Sequence, residues 1–183
     1  TELKEHWLTG QGFFNQSMIA ARSGRYKDAQ DILGSLKFLL TAAGLGAPAD
    51  HWMWSEALNA ESLVLAGDLD QAELVLEGMS SWMASKTGGR PLLLALTALG
   101  RLRLAQNRFA EASAILARAA GLWKQAGGNI EVAPLLLRAL AAHRAGDDVS
   151  ARTSLREAED TLRGTPVATH AVLLHFVRYE LSG

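Results

Sequence analysis

Five histidines, His6, His51, His143, His170 and His175, are the side chains best suited to hold a metal or shuttle a proton, and their spacing serves neither task. Helical zinc pairs stand on one face, as in His-Glu-x-x-His, whereas His170 and His175 are five apart and fall off a common face. They read as packing or surface residues. Glu157, Glu159 and Asp160 gather carboxylates as an acid–base pair would need. On a helix, however, they are interleaved with Arg152, Arg156 and Arg163, the pattern of a solvated charged face. Gly88-Gly89-Arg90-Pro91 opens a helix, where free amides and the dipole can hold an anion; a connecting loop between structural units needs the same glycines. The chain has no cysteine, which excludes thiol catalysis, disulfides and Cys-based zinc sites. No Gly-x-x-x-x-Gly-Lys-Ser/Thr loop is present to cradle phosphates. These residues predict no enzyme, no metal and no cofactor.

The elements that must position any site are set by a repeated punctuation. Gly24-Arg25-Tyr26 is followed by Ala29 and Leu33, Gly67-Asp68-Leu69 by Ala72 and Leu76, Asn107-Arg108-Phe109 by Ala112 and Leu116, and Gly146-Asp147-Asp148 by Ala151 and Leu155. The turn residues fall 43, 40 and 39 positions apart, a period that means stacked supersecondary units. Gly or Asn takes the left-handed backbone that ends a helix, and the Ala and Leu that follow line one face of the next. Each unit is therefore a helical hairpin. The spacing predicts an all-α chain of about nine helices: four hairpins over about 3–43, 51–85, 91–126 and 130–163, then a terminal helix over 167–181, forming one repeat domain. Asp50 is the expected N-cap of a helix over 51–66, and Asp68 that of its partner, with Gln71 in the capping-box position. Pro91 suits a first helical turn, and Gly127-Gly128-Asn129 marks the loop before the fourth hairpin. Asp148 replaces the bulky Tyr26, Leu69 or Phe109 of the other units, which predicts weaker packing there. The last helix lacks a mate, so its apolar face calls for more protein, a capping contact or a second chain.

Composition narrows the partners. The net charge is −1 and the pI about 6.5, which removes the broad basic surface of a module that grips nucleic acid unaided. The longest apolar stretches, Pro91 to Leu99 and Val132 to Leu137, fall far short of the roughly 20 residues that cross a bilayer. No signal peptide opens the chain. The absence of cysteine fits a reducing compartment, with the cytoplasm as the expected location. A start at Thr1 without methionine suggests a processed or excised piece of a longer protein. Seven basic and eleven acidic residues precede Pro91, and eleven basic and eight acidic follow, so the halves carry −4 and +3. That asymmetry would suit head-to-tail association or docking to neighbouring domains.

In stacked hairpins the first helices line a concave surface. Counting back thirteen, ten, six and three residues from each turn selects its stripe: Gln11, Phe14, Met18 and Ala21, then Trp54, Ala57, Glu61 and Val64, then Leu94, Thr97, Arg101 and Leu104, then Ala133, Leu136, Leu140 and His143. Trp54, Glu61, Thr97, Arg101 and His143 are the candidate ligand-binding residues, able to stack on a ring, pair a charge and donate hydrogen bonds. Trp52 exchanges roles with Trp54 if the helix phase slips by a residue, and a Trp buried between units is the plainer alternative.

The Gly-x-aromatic-x-x-Ala core, with a small residue seven before each turn (Ser17, Ala60, Gly100, Ala139), resembles the tetratricopeptide pattern, with longer helices and loops than its usual 34-residue unit. The stretch from Leu94 to Leu162, including Asn107-Arg108-Phe109-Ala110-Glu111-Ala112, Trp123-Lys124-Gln125-Ala126-Gly127-Gly128 and Leu136-Leu137-Arg138-Ala139-Leu140-Ala141, resembles the superhelical region of MalT-like regulators of the LuxR class. Glu56-Ala57 to Gln71-Ala72 resembles it too. The resemblance implies a transcription-regulator fragment that senses a small-molecule effector or a regulatory protein in its groove and contacts the parent regulator's neighbouring domains. It carries neither the nucleotide switch nor the helix-turn-helix of that family, and homo-oligomerisation is a further expectation. A tetratricopeptide scaffold that holds a protein or peptide and senses nothing is the alternative.

Overall fold

A computed structural model describes residues 2–47, 49–125, 132–164 and 168–182, with side chains at 10–47, 49–125, 132–163 and 170–182. Among these residues the chain is all α: α1 (Glu2–Arg22), α2 (Tyr26–Ala42), α3 (Asp50–Ala66), α4 (Leu69–Gly78), α5 (Ser80–Ser85), α6 (Arg90–Ala105), α7 (Phe109–Gln125), α8 (Ala133–Arg144), α9 (Asp148–Gly164) and α10 (Ala168–Ser182). They fall into two compact units, 1–98 and 99–183, with the division inside α6.

The four punctuation marks fold alike. Gly24, Gly67, Asn107 and Gly146 all have positive φ, of 75°, 83°, 60° and 83°, a region cheap for glycine and tolerated by asparagine. The next residue's amide then reaches back five positions, Arg25 N–H to Ala20 O (2.9 Å), Asp68 to Leu63 (3.0 Å), Arg108 to Arg103 (2.8 Å) and Asp147 to Ala142 (2.8 Å). This closes the carbonyls of the ending helix in the Schellman manner. Four residues later Ala29, Ala72, Ala112 and Ala151 donate to the carbonyls of Arg25, Asp68, Arg108 and Asp147, and all four are fully buried. A side chain larger than methyl there would hold the two helices apart.

Within the first unit α1 packs on α2 and α3, α2 on α3, α3 on α4 and α4 on α5; within the second, α7 packs on α8, α8 on α9, and α10 on both α8 and α9. Small residues seven before each turn set the close approach. Ser17, Ala60 and Ala139 are buried, and a Cβ added to Gly100 would stand 2.5 Å from Leu116 Cγ. The second unit's core gathers Leu104, Leu116, Leu135, Leu136, Leu140 and Val177, with Phe109, Leu155 and Leu174 against its edge.

Two expectations are corrected. There are ten helices among the described residues, because the partner of α3 breaks at Met79. Gly78 is a poor helix former, and the Met79 amide bonds the Leu76 carbonyl (3.2 Å), a tighter turn, before α5 buries Trp82 and Met83. Asp50 does not cap α3. It is the helix's first residue behind an uncapped Ala49, and its carboxylate pairs with Lys86 Nζ at 2.9 Å. Among the described residues the fourth hairpin starts with α8 at Ala133, Pro134 in its first turn; its expected start at about 130 and the Gly127-Gly128-Asn129 loop lie outside them. Asp68 does cap α4, accepting from the Gln71 amide at 3.4 Å. Asp147 caps α9 likewise, taking the Ser150 amide at 3.0 Å. Asp148 is exposed where Tyr26, Leu69 and Phe109 are half-buried, so it adds no packing.

Candidate functional site

α3 is apolar or bulky on every side, so its phase is fixed by packing rather than by an amphipathic stripe. Trp52 faces the second helix of the preceding hairpin, with Lys37 Nζ 5.8 Å from its ring centre and Lys37 paired to Glu56 at 2.6 Å. Trp54 faces the first helix instead. Its ring stacks on Phe14 of α1, centroids 4.2 Å apart and planes 19° from parallel.

On Trp54 lies Arg90, its guanidinium carbon 5.2 Å from the ring centre. Arg90 is exposed and forms no ion pair among the described residues. Gly89, with φ of 104°, turns the chain into α6 and accepts the Leu93 amide at 3.1 Å. The amides of Arg90 and Leu92 stand in the first turn, where the helix itself supplies no acceptor, and Pro91 contributes none. The indole Nε1 of Trp54 is covered and has no hydrogen-bond partner, a donor left unused at a cost. Phe14, Trp54 and Arg90 thus form a three-layer stack: a sealed aromatic base, a half-buried indole and a free cation on top. Cation–π stacking holds the guanidinium flat while its edge N–H groups stay available to a carboxylate.

The other expected site residues are placed as follows. Glu61, two turns after Trp54 on α3, is half-buried and borders a narrow cleft with Ser17, Met18, Ala21, Arg22, Leu58, Ser62 and Leu65. The cleft holds about 10 Å³, room for at most one water. Thr97 is buried, and its hydroxyl donates to the Leu93 carbonyl at 2.8 Å within its own helix, so its donor is spent. Arg101, on the 99–183 unit, is half-buried with its Nε covered. His143 sits at the end of α8 with Nδ1 3.0 Å from Asp148 Oδ1 across the turn. Trp54, Glu61 and Thr97 belong to the first unit, Arg101 and His143 to the second. Spacing named Trp54 and Phe14 for the stripe but missed Arg90, whose only sequence signal is its place between Gly88-Gly89 and Pro91.

The acidic cluster is engaged structurally. Glu157 pairs with Lys124 (2.9 Å), Glu159 with Arg178 (2.8 Å) and Asp160 with Arg163; Arg152 and Arg156 are exposed and have no acid partner among the described residues. Among the described residues no three metal-ligating side chains gather, His170 is buried and His175 exposed, and the His6 side chain lies outside them. No described helix is long and apolar enough to cross a membrane.

No family profile matches the chain, and no curated protein does. Two solved structures are similar: the nearly identical TPR-like repeats of a Podosopora anserina candidate kinesin light chain, and a point variant of the same protein. Each has a TM-score of 0.65 and 16% identity; the match covers 94% of this chain and 83% and 82%, respectively, of theirs. At that identity the likeness concerns architecture alone, and it agrees with the four repeated turns and their buried alanines: the chain has a TPR-like repeat fold.

Proposed function

We propose that the chain is a TPR-like interaction scaffold that binds a segment of a partner protein on the first unit's inner face, at the Phe14–Trp54–Arg90 stack. The observation that carries this is the free Arg90 guanidinium held over Trp54. A carboxylate, from an acidic side chain or a chain terminus, would take the edge of Arg90 and the first-turn amides of α6, while apolar groups beside it cover the exposed part of the indole. Glu61 lies on the same inner stripe and would select a polar or basic neighbour in the bound segment. The 10 Å³ cleft beside Glu61 cannot enclose a metabolite, which favours an extended ligand lying along a surface.

The finer reading is a MalT-like LuxR-class regulator's sensor region, with Trp54, Glu61, Thr97, Arg101 and His143 receiving an effector or a regulatory protein and neighbouring domains relaying the response. It rests on the resemblance at 56–72 and 94–162. Of its five residues, Thr97 and His143 are hydrogen-bonded and Glu61 and Arg101 also have partners of their own, so an effector would have to compete with these contacts.

Selection from a displayed library of random peptides tests the scaffold reading. Carboxylate-bearing sequences should be enriched, and their affinity should fall about ten- to a hundredfold in Arg90→Ala, the range for one charge-assisted hydrogen bond lost. Trp54→Ala should weaken them comparably. No enrichment, or enriched peptides that bind both variants as tightly as the parent, would overturn it.

A further inference from the structure

Two residues of α3 and two residues of the segment that enters α6 meet in register. Asp50 and Trp54 stand four apart on α3, neighbours on one face of the helix. Lys86 and Arg90 are also four apart, on either side of Thr87-Gly88-Gly89. The first cation meets the first α3 residue and the second meets the second: Lys86 Nζ lies 2.9 Å from Asp50 Oδ1, and the Arg90 guanidinium carbon 5.2 Å from the Trp54 ring centre. Lys86 Nζ also stands 5.8 Å from the ring centre of Trp82, a buried residue of α5. The ammonium is thus anchored to α5 as well as to α3.

The residues between the two contacts carry no side-chain anchor. Lys86 leaves α5 in extended backbone, with φ of −97° and ψ of 139°. Thr87 is exposed and makes no side-chain hydrogen bond among the described residues, a Cβ added at Gly88 would touch nothing, and Gly89 has φ of 104°. Two glycines in succession give such a segment many conformations. One exposed cation–π contact multiplies the population of its stacked arrangement only about two- to fivefold. A second contact one helical turn away removes much of that freedom in advance, as a short linker raises an effective concentration.

We propose that Lys86 and Asp50 are positioning residues for the carboxylate site: their ion pair sets Arg90 over Trp54, and the charge on Lys86 thereby regulates how well the site binds. This rests on the reading of Arg90 as the contact for a partner's carboxylate. Neither Lys86 nor Asp50 touches the bound carboxylate; each acts through Arg90. The pair is part-exposed, with side-chain accessibilities of 36% and 61%, so salt screens it and it supplies a fraction of what Arg90 itself supplies.

Nuclear magnetic resonance of the ligand-free chain tests the positioning without a peptide. The Arg90 Hδ resonances, beside the face of the indole, should lie upfield of those of the exposed Arg152. Lys86→Gln and Asp50→Asn should each move them back toward that value, and Lys86→Arg should leave them shifted. With a carboxylate-bearing peptide selected on the parent chain, Lys86→Gln and Asp50→Asn should each bind about two- to fivefold more weakly. Their combination should bind no more weakly than either alone, and Lys86→Arg should match the parent. In an Arg90→Ala background Lys86→Gln should make no further difference. Arg90 resonances unmoved in both variants would overturn the proposal. So would a Lys86→Gln loss that persists in Arg90→Ala, which would make Lys86 a direct contact, or tighter binding by Asp50→Asn, which would make Asp50 a competitor for Arg90. A parent chain that binds no carboxylate-bearing peptide would defeat the scaffold reading, while the resonances would still decide whether the pair positions Arg90.

Discussion

The two helices of the fourth hairpin divide the work of the fold unequally. α8 buries nine of its twelve residues, Leu135, Leu136, Leu137 and Leu140 among them. Over its described side chains α9 buries only Ala151, Ser154 and Ala158, and turns Val149, Arg152 and Arg156 to solvent. The reason is position in the stack. A first helix is covered by the preceding hairpin, by its own partner and by the next first helix, as α8 is by α7, α9 and α10. α9 meets α8 through a narrow line of small residues, Ala151, Ser154 and Ala158. In the fourth hairpin stability therefore resides in α8, while most positions of α9 can vary without unfolding the chain.

The sharpest way to break this contrast is Leu136→Ala, which removes a fully buried side chain from the second unit's core and should cost about 3 kcal/mol in chemical denaturation. Arg152→Ala on α9 should stay within about 0.5 kcal/mol. Comparable losses in both would end the division of labour. Gly100→Ala should destabilise by about 1–2 kcal/mol, since its Cβ would stand 2.5 Å from Cγ of the fully buried Leu116. The gain in helix propensity offsets only part of this. Combined with Leu116→Ala, the added cost of Gly100→Ala should vanish; strict additivity would show that helix spacing is not set there. Gly67→Ala should cost about 1 kcal/mol through its left-handed backbone, whereas Asn107→Gly should be neutral or slightly stabilising.

The smallest effect concerns pH. Hydrogen bonds from the Ser150 hydroxyl, and then from its amide, hold the Asp147 carboxyl below the usual carboxylate range. Its contribution is therefore complete above the unfolded value near 4 and is lost as pH falls through the lower folded value. Denaturation curves between pH 5 and pH 3 should show the parent losing slightly more stability than Asp147→Asn, and parallel curves would deny the cap a role.

What the sequence disclosed is what local chemistry determines. Gly24, Gly67, Asn107 and Gly146 announce left-handed backbone by residue type alone, and the alanines after them announce close packing, so hairpins and register are legible. The break at Met79 is less so: Gly78 is a poor helix former, but glycine inside a helical pattern does not by itself mark a stop. Asp50 misleads because Lys86, 36 residues on, competes for its carboxylate. The site was half visible. Trp54 follows from the turn spacing, but Thr97 lies in a stretch, Leu92 to Ala98, buried without interruption, where no polar face reveals which side is inward. Arg90 is the first residue of α6, outside the stripe positions that the turn spacing selects.

Two arginines test the functional account most directly: Arg90, held over Trp54, and Arg152, exposed on α9. With a carboxylate-bearing peptide selected on the parent chain, titration calorimetry should show Arg90→Ala binding at least tenfold more weakly and Arg152→Ala within about twofold. Equal losses in the two variants, or a larger one in Arg152→Ala, would mean that diffuse charge rather than the aromatic stack holds the partner, and would contradict the account.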